Sequence, residues 1–408
     1  CNVNTVALAG TFDTKGKEFL YVKKLLEALG MRTLTIHTGV FESEFEPDVT
    51  NESVAKAAGY DLRAIVEKRD RSLATKVLAD GMEKLIPELY REGKFDGILS
   101  FGGSGGTALV TAAMRALPLG VPKIMVSTMA SGNVSAYVGT SDIIMMPSIV
   151  DIAGINKISE MVFANAAMAM YGMLHGKEML PEEDEEEKPL VAATMFGVTT
   201  PCVTRAKDKL EKNGYEVVVF HATGTGGKTM EQLIRNGFFK GVLDLTTTEW
   251  CDEIVGGILA AGEHRSEAAA DCGIPQVVST GAMDMVNFGQ PDTIPEKFRG
   301  RNFYRHNPDV TLMRTNADEN KELGNRLAEK LNRASGKTVL CIPLKGVSEI
   351  DAEGKAFYGP CEDKILFETL EQKVDRSVVE IEKLNCNIND PQFADYAADR
   401  LMEMMQTS

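Results

Sequence analysis

Short apolar runs alternate along most of the chain with stretches of three-to-four-residue periodicity, the pattern of buried strands alternating with amphipathic helices. Val3–Gly10 reads as a strand, Lys15–Leu29 as a helix and Arg32–His37 as a second strand. Further strands are predicted over Phe95–Ser100, Lys123–Ser127 and Ile143–Met146, with helical periodicity over Asp61–Glu92, Gly105–Leu117 and Ile155–His175. From Leu190 the grammar starts again. Strands are predicted at Leu190–Met195, Tyr215–His221, Gly241–Leu245, Gln276–Ser279, Thr338–Ile342 and Val378–Glu382. Between and after them, helices are predicted at Cys202–Asn213, Met230–Asn236, Glu249–Ala261, Asn316–Ala334, Cys361–Gln372 and Pro391–Met405. The expected fold class is α/β: two Rossmann-like lobes, each a mainly parallel sheet with helices on both faces, and a ligand cleft between them.

The two halves are separated by Pro181-Glu182-Glu183-Asp184-Glu185-Glu186-Glu187-Lys188-Pro189, a like-charged run bracketed by prolines that reads as a linker. The expected organisation is therefore residues 1–180, an acidic linker 181–189 and residues 190–408.

Charge narrows the function classes. A net charge of -15 over 408 residues, with no basic run, argues against nucleic-acid backbone or anionic membrane as a partner. The seven cysteines show no metal spacing and read as reduced thiols. No stretch approaches about 18 uninterrupted apolar residues and no leader pattern opens the chain, so a cytoplasmic protein is expected.

In doubly wound sheets ligands bind beyond the carboxyl ends of the strands, and the polar, glycine-rich segments fall there. In the first half these are Gly10, Thr11, Asp13, Thr14 and Lys15, then Gly102, Gly103, Ser104, Gly105, Gly106 and Thr107, then Ser131 and Gly132. Glycine lets backbone N–H groups approach a phosphate, hydroxyls add donors, and Asp13 or Asp142 offers a carboxylate to magnesium. Helix capping by Thr11, Asp13 and Thr14, or tight packing at the glycines, is the plainer alternative.

In the second half, Ala222-Thr223-Gly224-Thr225-Gly226-Gly227-Lys228-Thr229 follows a strand and opens a helix. It fits a loose form of the phosphate-binding loop, with Lys228 and Thr229 as phosphate and magnesium contacts and Asp244 as a magnesium partner. Thr246, Thr247, Thr248, Glu249 and Asp252 gather hydroxyls and carboxylates at the next strand end, and His221 is a candidate acid or base. His221, Glu249 and Asp252 are the expected proton-transfer residues.

The ordered strings GTFDTKG, SFGGSGGT, YVGTSDI, FGVTTPCV, FHATGTGGKTME, DLTTTEW, GIPQVVSTGAMDMVNFG and HNPDVTLMRT resemble a known family over nearly the whole chain. It is the Tm-one-like ATP-binding domain family, that of the tomato mosaic virus resistance protein and its bacterial relatives. The resemblance implies two Rossmann-like lobes that bind ATP and form dimers, so a homodimer or higher homo-oligomer is expected; the plant protein's antiviral role is not carried over. The function expected is nucleotide binding, with ATP and magnesium as cofactors and phosphoryl transfer or other ATP-dependent chemistry on a small anionic metabolite. The alternatives are a non-catalytic nucleotide-gated module, or a hydrolase or isomerase of a sugar-acid-like metabolite.

Overall fold

A computed structural model describes residues 3–180 and 186–408, so residues 181–185 of the expected linker lie outside the described residues. The chain divides into two compact units, Cys1–Asp184 and Glu185–Ser408.

The first unit is built on five parallel strands: β1 (Thr5–Gly10), β2 (Arg32–His37), β3 (Gly97–Gly102), β4 (Lys123–Ser127) and β5 (Ile144–Pro147), in the order β2-β1-β3-β4-β5. Successive side chains of a strand point to opposite faces, and here both faces are apolar. Val6, Leu8, Leu99, Phe101, Ile124 and Val126 pack with helices Gly16–Ala28 and Lys157–His175. On the other face Ala7, Ala9, Ile98 and Met125 pack with helices Arg71–Arg91 and Ser104–Arg115. The strand order reverses between β1 and β3, which opens a crevice where their following loops diverge.

The second unit repeats this plan with six parallel strands: β6 (Leu190–Met195), β7 (Glu216–His221), β8 (Gly241–Thr246), β9 (Gln276–Gly281), β13 (Thr338–Pro343) and β14 (Val379–Leu384). Their order is β14-β13-β9-β8-β6-β7, with the reversal between β6 and β8. Helices Thr200–Lys212 and Pro391–Gln406 cover one face, and Ala317–Leu331 and Pro360–Lys373 the other.

Between β9 and β13 lies an antiparallel sheet that the sequence pattern does not disclose: β10 (Met285–Phe288), β11 (Phe303–Asn307) and β12 (Val310–Arg314), ordered β10-β12-β11. β10 is buried at all four positions and β11 is largely exposed, so neither alternates. The helical periodicity expected over Asp61–Glu92 is divided into two helices, Leu62–Glu67 and Arg71–Arg91, and another expected helix is shorter than its pattern. The helix opened by Glu249 ends at Val255, because Gly256 turns left-handed at φ 98°. Gly257 then passes so close to Asp252 that a Cβ would lie 1.7 Å from Oδ1.

Among the described residues no helix is long and apolar enough to cross a membrane, and the described cysteines are free thiols.

Candidate functional site

The glycine-rich turn of the second unit is already filled. Gly224, at φ +88°, begins the turn into helix Thr225–Arg235, where backbone N–H groups converge as they would on a phosphate. The anion they meet is Glu249: its Oε2 accepts from Gly224 N at 2.7 Å and from Gly227 N at 3.1 Å. A Cβ on Gly227 would fall 2.3 Å from that carboxylate, and one on Gly226 would fall 1.7 Å from the His221 carbonyl oxygen. These glycines admit the protein's own side chain and backbone. The expected phosphate contacts change accordingly: Lys228 is exposed, Thr225 stands exposed at the helix start, and Thr229 Oγ1 donates to the Thr225 carbonyl at 2.8 Å.

Behind Glu249 sits Arg265, a residue that sequence reasoning passed over. Its guanidinium is 1% exposed and donates to Glu249 Oε1 at 2.8 Å, to Asp244 at 2.6 and 2.8 Å, and to Glu231 at 3.3 Å. Asp244 also accepts from Thr194 Oγ1 at 2.8 Å, so the expected magnesium partner is held inside an ion-pair network. Burial raises the carboxyls of Glu249 and Glu231, and Arg265 opposes that rise. Three carboxylates converging at one buried strand end require a cation, but their convergence is visible only in the folded chain.

The threonines and Asp252 of the second unit are likewise engaged within the fold. Thr246 Oγ1 donates to the Thr194 carbonyl at 3.0 Å, Thr247 Oγ1 to Ser279 O at 2.8 Å and Thr248 Oγ1 to Met285 O at 3.3 Å. All three threonines are fully buried and pin the end of β8 to its neighbours. Asp252, 1% exposed, accepts from the backbone N and the Nδ2 of Asn287 at 2.7 and 2.8 Å, and burial pushes its carboxyl up to about 7. His221 is exposed at the end of edge strand β7.

The first unit presents a different edge. Helix Ser104–Arg115 starts from Gly103 with no capping side chain, and Thr107 N is its first amide to find the N-cap carbonyl. A Cβ on Gly105 or Gly106 would meet nothing within 4 Å, and Gly102 and Gly103 have no neighbour nearer than 3.5 Å. Ser104 and Gly105 are exposed, while Thr107 is buried against Ser127 with the two hydroxyls 2.6 Å apart. The turn is therefore bare for reasons other than packing.

Beside it runs the loop after β1. Gly10 is a packing glycine, since a Cβ would fall 1.9 Å from the Phe19 ring. Thr14 Oγ1 donates to Thr11 Oγ1 at 2.9 Å, and Lys15 Nζ donates to the Ile152 carbonyl at 2.7 Å. Asp13 Oδ2 accepts from Phe41 N at 3.1 Å, but its buried Oδ1 has no partner. Thr38 Oγ1 and Ser100 Oγ are likewise buried without partners. Ser131 and Gly132 stand exposed in the loop after β4, so the first-unit candidates share one sheet edge.

Asp142 does not join them. It precedes β5 and so lies at the amino ends of the strands, where it pairs with buried Lys123 at 2.6 Å and accepts from Gly120 N at 2.8 Å. Asp13 and Asp142 therefore do not meet at one ion.

Sequence comparison accounts for both units. An uncharacterised protein family's N-terminal domain matches residues 4–179 and its C-terminal domain matches residues 188–405. The chain belongs to the UPF0261 family. A UPF0261 protein of Clostridium tetani is 53% identical over 402 residues, covering 98% of this chain and 99% of its own length. The tomato mosaic virus resistance protein Tm-1(GCR237) of Solanum lycopersicum is 45% identical over 341 residues, or 83% of this chain and 45% of the plant protein. The UPF0261 chain thus spans less than half the length of that relative. Among solved structures, S. aureus MnaA with UDP aligns over 91% of this chain and 92% of its own, at 9% identity and a TM-score of 0.24.

Proposed function

We propose that this UPF0261 protein is a nucleotide-binding protein whose first unit takes the phosphates of an ATP-class ligand at the bare start of helix Ser104–Arg115. The observation that carries the reading is the contrast between the two glycine-rich turns. At Gly224 and Gly227 the converging amides hold Glu249, whereas at Gly103, Gly105 and Gly106 no side chain caps the helix and no neighbour demands glycine. Four glycines in six residues beside the β1/β3 reversal leave the backbone open where an anion gains the helix dipole.

Two of the three residues expected to transfer protons, Glu249 and Asp252, hold the second unit together instead, so the arrangement favours binding over catalysis. Among the described residues no group of three His, Cys, Asp or Glu side chains gathers to hold a metal. Magnesium would therefore arrive on the phosphates with several of its own waters, as this ion commonly does.

Thermal-shift titration with ATP, ADP and inorganic tripolyphosphate, each with and without magnesium, tests the reading. Ligand at about a hundred times its Kd stabilises the native state by about 2.7 kcal/mol. Gly103→Val fits its extended backbone and has Thr128 Oγ1 as its nearest neighbour at 3.8 Å, so the variant folds and loses the shift. No shift with any of the three ligands overturns the proposal.

A further inference from the structure

The antiparallel sheet of the second unit ends on an open edge. Its order is β10-β12-β11, so the outer side of β11 meets no strand, and β11 is exposed from Tyr304 to Asn307. Arg314 N donates to the Asn302 carbonyl at 2.9 Å, which makes these two residues a hydrogen-bonded pair. Such pairs alternate along an antiparallel ladder. Tyr304 therefore exchanges its peptide hydrogen bonds with Leu312, while Phe303 and Arg305 turn theirs outward. Among the described residues, the backbone N–H and C=O groups of Phe303 and Arg305 have no partner.

The side chains bordering this edge are aromatic and cationic. Tyr304 stands edge-on to buried Phe357 with ring centroids 6.2 Å apart, yet it remains 37% exposed. Asn302 Nδ2 donates to the Ala356 carbonyl at 3.0 Å, which ties the turn Lys355–Tyr358 to the start of β11. Lys355 and Tyr358 are both exposed there, and Arg305 and His306 are exposed farther along the strand. Arg301 is bound to Glu319, and the hairpin's carboxylate, Asp309, accepts from Gln290 Nε2 at 3.2 Å. Among the described residues, Arg305, His306 and Lys355 have no acidic partner, in a chain whose net charge is -15.

Charge on an edge strand discourages pairing with further copies of the same chain. A second copy offers this edge only cationic side chains, so self-pairing brings like charges together. A segment carrying carboxylates meets no such barrier. We propose that β11 is a docking strand for an extended acidic segment of a partner protein. The segment adds to the sheet through the peptide groups of Phe303 and Arg305, in the manner of β-strand addition. Its carboxylates lie beside Arg305, His306 and Lys355, and an apolar side chain rests on Tyr304 and Tyr358. The ladder shifts register between Arg305 and Asn307. That bulge keeps the pairing short, so charge supplies much of the selectivity.

Fluorescence anisotropy of a labelled peptide of alternating valine and glutamate, titrated with the full chain, tests the assignment. This peptide is expected to bind, an alternating valine–lysine peptide is not, and added salt is expected to weaken the complex. Arg305→Glu, at an exposed position, is expected to weaken binding about tenfold with the melting temperature unchanged. Arg305→Gln gives a smaller loss in the same direction. N-methylation of the peptide's alternate amides separates strand addition from plain charge adhesion: methylating one set abolishes binding and methylating the other set preserves it. Failure of the valine–glutamate peptide to bind, equal affinity of the Arg305→Glu chain, or indifference to both methylations overturns the proposal. Self-association of the chain that sedimentation shows to depend on Arg305 also overturns it, by giving the edge to a second copy.

Discussion

Glu249 Oε2 accepts the backbone N–H of Gly224 at 2.7 Å, so a carboxylate of the protein itself occupies the anion cradle of the second unit. The carboxylate is held on its other oxygen by Arg265 and is 1% exposed as a residue. One interaction therefore closes a glycine-rich turn and neutralises part of a buried cation.

Removing that carboxylate leaves Arg265 short of one partner and the turn amides without an acceptor. Glu249→Ala is expected to destabilise the protein by about 3–5 kcal/mol, the usual cost of breaking a buried pair from one side. Urea unfolding measures it. Nucleotide affinity at the first unit is expected to stay within about twofold, and a Glu249→Ala protein as stable as the parent would contradict the closed-cradle description.

The two glycine-rich turns respond oppositely to an added side chain. Gly226→Ala places its Cβ 1.7 Å from a backbone carbonyl and is expected to cost about 3 kcal/mol or more. Gly105→Ala meets nothing within 4 Å and changes stability by less than about 1 kcal/mol. Paired melting curves of the two variants decide the point, and similar losses would mean that both turns are packing features.

Asp142 is expected to act on stability alone. Its partner Lys123 has a fully buried side chain, burial lowers that ammonium's pKa, and the Asp142 carboxylate opposes the change. Because the Asp142 side chain is 33% exposed, Asp142→Ala is expected to cost about 2–3 kcal/mol, below the full buried-pair figure. Magnesium-dependent nucleotide binding should be unaltered; loss of it with stability unchanged would return Asp142 to the ligand site.

Stability should fall as pH rises from about 4 to 9. Burial pushes Asp252 and Asp284 up to about 7 from 3.8, and burial with the neighbouring Asp351 pushes Asp363 up to about 9. Between the unfolded and folded pKa values the native state holds protons that the unfolded chain has released, so the stability these groups lend at low pH is lost across that window. Glu267 and Asp271, whose pKa values are lowered, act the other way, losing their contribution as pH falls below the ordinary carboxylate range. The urea midpoint is expected to be higher at pH 5 than at pH 8.5, with Asp252→Asn flattening the part between 5 and 7; a midpoint that climbs over this range would show these carboxyls to be ionised throughout.

The parallel sheets were legible in the sequence because a strand buried on both faces has a continuous apolar centre, as Val191–Ala193 and Ile124–Val126 are, with helices of 3.6-residue period between such runs. The sequence by itself also placed most of the glycine-rich segments at the carboxyl edges, since in a parallel sheet every loop following a strand emerges on the same side, although Asp142, at the far end of its loop, lies at the amino ends. Only the tertiary structure decided what those segments do. Gly102–Thr107 and Ala222–Thr229 look alike as strings, yet one is open and the other is filled by a glutamate 22 to 25 residues away. Arg265 and the antiparallel sheet escaped for the same physical reason. Their roles depend on partners distant in the chain, brought near by packing, and local periodicity carries no record of which distant residue will satisfy a buried hydrogen-bonding group.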